Sequence, residues 1–475
     1  MLFPTVTFAA FFLIVWPVSW VAARWPLARQ VVLLTASWGF YAYWDERYLV
    51  LLAATIVLNH GCAQAIRRWS ARPLAGRAAL WIGVVGHLAI LGWFKYYGFF
   101  ASTLSSALDR IGITFEPTIA QVVLPLGVSF FTFQAISHLI EVRRGVIEPG
   151  SLLEVATWLS CFLTISSGPI TRASELLPQL RETPEPRIEA NRAFGLILRG
   201  LFKKMVLASF LASAIADDVF ASPGRHSAPE VLVGVYGYAA QIYLDFSGYS
   251  DIAIGCALLL GIRLPPNFNA PYAARSVTEF WNRWHMTLSR WLRDFVFTPL
   301  ALRSKPSTAA TARNLLIVML LAGLWHGAAW TFVAFGAVHG IALAVERVAR
   351  QHRRRHGRAL AAPGTVRAAV RRIAVFHVVC LGWVFFRAAS LDQAFELLAR
   401  LGSGLGRSPA VTGLLAGVIV MVLAVQNLPP RAFDMASAGL ARLGPASMVA
   451  GIALSLLLID VFGPEGVPPF LYFGF

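Results

Sequence analysis

Apolar runs long enough to cross a hydrocarbon layer of about 30 Å recur along this chain from end to end. No polar stretch between them is long enough to build a soluble core of its own. That pattern leaves few folds open, because a backbone in lipid must satisfy its own hydrogen bonds and a helix does so within one segment. Of the 475 residues, 57% are hydrophobic and 14% charged, too apolar for a soluble globule of this length. The expected fold is all-α: a polytopic membrane helix bundle of roughly 11–13 spans with re-entrant and amphipathic interfacial helices. Residues 1–475 are expected to form a single integral-membrane domain.

The formal net charge is +17, and most arginines crowd the short connections between apolar runs. This distribution fits the positive-inside rule, so the partner surface is the lipid bilayer and no nucleic acid is expected. Candidate spans are 2–23, 29–44, 46–61, 78–100, 119–141, 151–168, 192–220, 229–261, a split pair within 312–347, then 370–388, 408–428 and 446–462. The first begins at Leu2 with no basic residue ahead of it, unlike a secretory signal. Arg67, Arg68, Arg72 and Arg77 mark one connection as cytoplasmic, and Arg347 to Arg372 mark another; the N-terminus is then outside. Within 151–168 a simple span conflicts with the arginines that follow, so a re-entrant element broken at Gly168-Pro169 is expected. Cys62, Cys161, Cys256 and Cys380 stand singly, giving neither a disulfide framework nor a metal site.

Inside 312–347 lies Leu324-Trp325-His326-Gly327. A histidine embedded in Leu, Ala, Val and Phe is costly in hydrocarbon unless it has a task or a partner, so His326 is the first site candidate. The alternative is a structural imidazole bonded between helices. Two cytoplasmic flanks put His326 at the deep end of a hairpin, with Gly323 and Gly327 supplying freedom to bend. In 279–298, Trp281, Trp284, Leu288, Trp291, Leu292 and Phe295 recur at helical spacing, predicting a cytoplasm-side amphipathic helix that lies in the membrane interface or caps a cavity rather than crossing. That helix carries His285 and the basic residues Arg283, Arg290 and Arg293, with Asp294 beside them. It reads either as a solvated connector or as a site for a phosphate-bearing donor. Asp245 and Asp251 sit in an apolar span about 240° apart, so each needs its own partner and they form no dyad. Packing glue and catalysis both remain open for them. His60, His87, His138, His339 and His377 read as packing residues. No GxSxG, HExxH, Walker A or GxGxxG fingerprint accompanies these groups.

The strings Tyr243-Leu-Asp-Phe-Ser-Gly-Tyr-Ser-Asp251, Leu264-Pro-Pro-Asn-Phe-Asn-Ala-Pro-Tyr272, Glu279-Phe-Trp-Asn-Arg-Trp-His285 through Asp294, and Gly323-Leu-Trp-His326-Gly-Ala-Ala-Trp330 resemble the membrane-bound O-acyltransferase (MBOAT) family. The likeness is strongest to its bacterial branch, the alginate O-acetyltransferase membrane component and its relatives. Phe130-Phe-Thr-Phe-Gln134, Gly168-Pro-Ile-Thr-Arg172 and Gly382-Trp-Val-Phe-Phe-Arg387 extend it over essentially the whole chain.

The resemblance implies a multi-pass enzyme of the bacterial inner membrane with no bound cofactor. It would take an acetyl group from a cytoplasmic thioester donor, acetyl-CoA or similar, toward an exported polysaccharide such as alginate. A periplasmic acetyltransferase partner would complete the transfer. By the same resemblance His326 is the essential residue and His285 a second functional position. The roles that follow are donor phosphates near Arg283, Arg290 and Arg293, with support from Asp294, Trp325, Asp245 and Asp251. D-alanyl transfer toward a wall polymer is open within the family. A transporter or flippase of a polysaccharide or lipid-linked intermediate is the competing class, although no internal repeat supports it.

Overall fold

The computed structural model describes residues 3–115, 123–184, 189–356, 365–404 and 406–428, with positions 453, 454 and 457. Among these residues every regular element is helical. Seven helices are long and apolar enough to cross a membrane: Val6–Arg24, Arg47–Arg68, Pro73–Asp109, Ala228–Leu259, Thr308–His326, Trp330–Arg355 and Thr365–Arg387. The other expected spans are shorter or more polar helices, except 151–168, which is helical only over Leu152–Leu159. Val128–Arg143 has 16 residues and Gly413–Val425 has 13, while Pro26–Asp45 carries buried Arg29 and Gln30. The span at 446–462 lies almost wholly outside the described residues.

The chain divides into two compact units, Met1–Phe194 with Ala253–Pro265, and Gly195–Ile252 with Pro266–Phe475. In the first, polar side chains cap helix ends from a distance. The Arg29 guanidinium donates to the Leu260 carbonyl at 2.7 Å, and the Trp20 indole donates to Leu259 O at 2.8 Å. These carbonyls have no intrahelical donor, so the caps meet a need that lipid cannot. Helix Leu152–Leu159 opens on a capping box made by Ser151 and Glu154. It ends at Ser160, ahead of Gly168-Pro169, where the break was expected. Residues 160–171 then run without regular helix and are buried throughout, which is the condition under which irregular backbone is tolerated at membrane depth. Gly127 (φ 71°) closes this region, since a Cβ there would strike the Ile165 carbonyl.

The second unit is built on the hairpin of Thr308–His326 and Trp330–Arg355. The two helices meet along glycines. A Cβ on Gly323 would strike the Phe332 carbonyl, one on Gly336 the Met319 carbonyl, and one on Gly340 the Leu316 side chain. The expectation that Gly323 and Gly327 provide bending freedom is therefore corrected. Gly323 lies inside the helix, where it lets two backbones touch. Gly327 is extended (φ −158°, ψ 150°) and leaves room for the Phe332 ring.

Candidate active site

The segment carrying His285 does not form one helix. Val277–Trp281 ends at Asn282, and Met286–Leu292 begins after His285, which takes a left-handed conformation (φ 41°, ψ 55°). Helical spacing of tryptophans continues across this break, so the periodicity that predicted one interfacial helix is satisfied by two short ones. The tryptophan face is turned inward: Trp281, Trp284 and Trp291 are all buried. Left-handed backbone is uncommon for a residue with a Cβ and needs support from its surroundings.

Asn267 provides that support. Its carbonyl oxygen accepts the Met286 N–H at 2.9 Å, and its side-chain oxygen accepts from Thr287 N (3.3 Å) and Thr287 Oγ1 (2.9 Å). The same oxygen lies 3.1 Å from His285 Nδ1. An oxygen already accepting a backbone N–H can only accept again, so Nδ1 carries the imidazole proton and Nε2 holds the free electron pair. Nε2 is buried and makes no hydrogen bond among the described residues.

His326 is the last residue of its 19-residue helix, at the turn of the hairpin and about 28 Å from the helix start by helical rise. The His285 and His326 rings lie 6.5 Å apart, centroid to centroid, with both residues at most 3% exposed. The expectation of one unbroken amphipathic helix carrying His285 is corrected accordingly: the helix is interrupted at His285, whose buried ring lies beside the hairpin turn. Aromatic rings enclose the pair. Trp325 sits 5.8 Å from His285 and 5.0 Å from His326; Phe335 and Phe386 stand edge-on to His326 at 5.7 and 5.3 Å, and Phe246 to His285 at 4.8 Å. Two imidazoles in an enclosure of aromatic rings can take a proton from a bound hydroxyl and return it to a departing thiolate without competition from bulk water.

The other candidates fall elsewhere. Arg283 pairs with Glu279 at 2.9 Å, and Arg293 with Asp294 at 2.8 Å. Arg290 lies in the last turn of Met286–Leu292. Asp245 and Asp251 have separate partners on Ala190–Leu201 and the π-turn Phe202–Ala208 that continues it. Lys204 pairs with Asp245; Arg199 and Lys203 hold Asp251 at 2.7 and 2.8 Å, and Lys203 also donates to Ser247 at 3.2 Å. Removing one member of so buried a pair costs about 3–5 kcal/mol. These carboxylates connect to the imidazoles through packing, since Phe246, the residue after Asp245, lies against His285. Sequence reading missed Asn267, Arg199, Lys203 and Lys204. Two adjacent lysines in the apolar run 192–220 were the available signal, because an intramembrane cation requires a partner just as Asp245 does.

The sequence model of the membrane-bound O-acyltransferase family matches residues 87–386. A probable alginate O-acetylase of Azotobacter vinelandii is 39% identical over 79% of this chain and 73% of its own length. A peptidoglycan O-acetyltransferase of Helicobacter pylori is 34% identical over 79% of this chain and 74% of its own. A teichoic acid D-alanyltransferase of Streptococcus thermophilus is 34% identical over 52% of this chain and 63% of its own. The chain belongs to the membrane-bound O-acyltransferase family, and it is a multi-pass membrane O-acyltransferase.

Proposed function

We propose that this enzyme takes an acetyl group from a cytoplasmic thioester, acetyl-CoA or a close analogue, for O-acetylation of an exported polysaccharide such as alginate. It would work in the bacterial inner membrane and through a periplasmic acetyltransferase partner. The observation that carries the reading is the pair of enclosed imidazoles, His285 and His326, 6.5 Å apart. The relatives named for alginate and peptidoglycan O-acetylation support the acyl group and the acceptor class.

In the reaction His326 takes the proton of the acceptor hydroxyl as that oxygen attacks the thioester carbonyl. The C–O bond forms, the C–S bond breaks, and the departing thiolate receives the proton from the imidazolium, so the base is regenerated. His285, with Nδ1–H held by Asn267, presents its Nε2 electron pair on the donor side. Trp325 shapes the space between the rings. Arg283, Arg290 and Arg293 serve the donor's phosphates and Asp294 orients Arg293; Asp245 and Asp251 fix the helix that carries Phe246.

The test is radiolabelled acetyl-CoA supplied to proteoliposomes of the purified enzyme, with label followed into the partner or the polymer. Wild type should transfer label, and His326→Ala at equal protein level should lose about 1,000-fold of the rate. Retained transfer in that variant would remove His326 from its role. Polymer movement without acyl turnover would replace this reading with the flippase, and preference for a D-alanyl thioester would change the acyl group.

A further inference from the structure

The basic ends of helices Trp330–Arg355 and Thr365–Arg387, together with Val277–Trp281, border an open cleft of about 590 Å³. Its floor is apolar and includes Val277, Ala342, Val375 and Val378. Its rim carries Arg275, Arg350, Arg353 and Arg371 with only two carboxylates, Glu279 and Glu346. Both carboxylates are already engaged. Glu346 accepts the backbone N–H groups of Val277 (2.8 Å) and Thr278 (3.2 Å) and pairs with Arg350. Glu279 accepts the Arg275 N–H at 2.8 Å and pairs with Arg283. Among the described residues Arg275, Arg353 and Arg371 have no carboxylate partner, leaving three guanidinium charges around one apolar trough.

Val345, which lines the trough, is itself 62% exposed. An exposed apolar face on a spanning helix is the lipid-facing face. The cleft also lies apart from the imidazoles, since Ala342 is twelve residues beyond Trp330, about 18 Å along the helix from the hairpin turn. A soluble phosphate would satisfy the rim and leave the floor unfilled. An amphiphile with an anionic head and a hydrocarbon tail satisfies both, and basic pockets between spanning helices are known to take such heads.

We propose that this cleft binds an anionic phospholipid of the surrounding bilayer, its phosphate held by Arg275, Arg353 and Arg371 and one acyl chain lying along the Val277–Ala342–Val378 floor. The site is independent of the roles of His285 and His326, and its test requires no acyl transfer. Purified full-length enzyme in micelles holding equal amounts of dioleoyl phosphatidylglycerol and dioleoyl phosphatidylcholine is examined by native mass spectrometry. Wild type should retain the anionic lipid at least tenfold over the zwitterionic one. Arg275→Gln, Arg353→Gln and Arg371→Gln combined should weaken retention on the order of 100-fold, from about fivefold per arginine. Ala342→Trp, which fills the floor and leaves the rim intact, should do the same; Val378→Phe replaces it if circular dichroism shows lost helix. Equal retention of the two lipids, or unchanged retention in the arginine variant, overturns the proposal. So does displacement of the lipid by micromolar pyrophosphate with no effect of the floor variants, which would make the site one for a soluble phosphate.

Discussion

Two histidine pairs lie buried in this protein, one in each compact unit, and their surroundings differ. In the first unit Asn59 stands between His87 and His138. Its amide nitrogen is 3.3 Å from His87 Nε2 and donates to the Ala135 carbonyl at 2.9 Å, while its oxygen is 2.7 Å from His138 Nδ1. One amide thus ties helices Arg47–Arg68, Pro73–Leu91 and Val128–Arg143 together. In the second unit the His285 and His326 rings face each other and a ring of Trp and Phe, with Asn267 holding only the outer nitrogen of one of them. The residue types are the same. An amide placed between two imidazoles makes a clamp; an amide placed behind one fixes that ring alone and leaves its other nitrogen without a hydrogen bond among the described residues.

The contrast is tested most severely by exchanging roles. His326→Ala should reduce acyl transfer about 1,000-fold, whereas His138→Ala should keep the rate per folded molecule within about twofold and lower the melting temperature. Comparable catalytic losses in both variants would erase the distinction. Next in size, Asn59→Leu strands two imidazoles and a carbonyl; thermal unfolding in detergent should show about 3 kcal/mol of lost stability with turnover per folded enzyme preserved. Asn267→Leu should act in the opposite sense. Releasing the His285 tautomer and its left-handed backbone should cut kcat about 10- to 100-fold with donor KM little changed, and a fall in stability alone would reduce Asn267 to a packing residue.

The smallest effect belongs to Glu154, which caps the short helix whose Trp158 packs edge-on against His138 at 5.5 Å. Burial pushes its carboxyl up, but the Arg181 guanidinium and the Ser151 N–H together outweigh it and hold the group below the usual carboxylate range. Its contribution is therefore present above about pH 4.5 and fades as the pH falls through the lowered value. Glu154→Gln should cost about 0.5–1 kcal/mol near neutral pH, narrowing on acidification. A melting curve that moves equally at pH 7 and pH 4 would contradict the assignment.

Much of this was legible in the sequence. The apolar runs specify the class, and Gly323-Leu-Trp-His326-Gly327 locates the hairpin turn. The kink at His285 was not legible, because tryptophans at three- and four-residue steps read as one helix whether or not a left-handed residue interrupts them. The ion pairs were half legible: Asp245 and Asp251 announce a need, but their partners lie 41 to 52 residues away and only the fold brings them close. Asn267 was hidden for the same reason, eighteen residues from the ring it orients. Gly323 misled, since glycine near a turn suggests pliancy when here it permits contact.

Glycine contact along the hairpin has one more result. With Gly323, Gly336 and Gly340 bringing the two backbones together, Thr308–His326 and Trp330–Arg355 are in van der Waals contact at three levels along the seam. On the flanks of that close-packed pair the His326 ring meets Trp325, Phe335 and Phe386. The histidine at the hairpin turn is thus held between a backbone seam that cannot part and a wall of aromatic rings, so its position is set by packing on both sides.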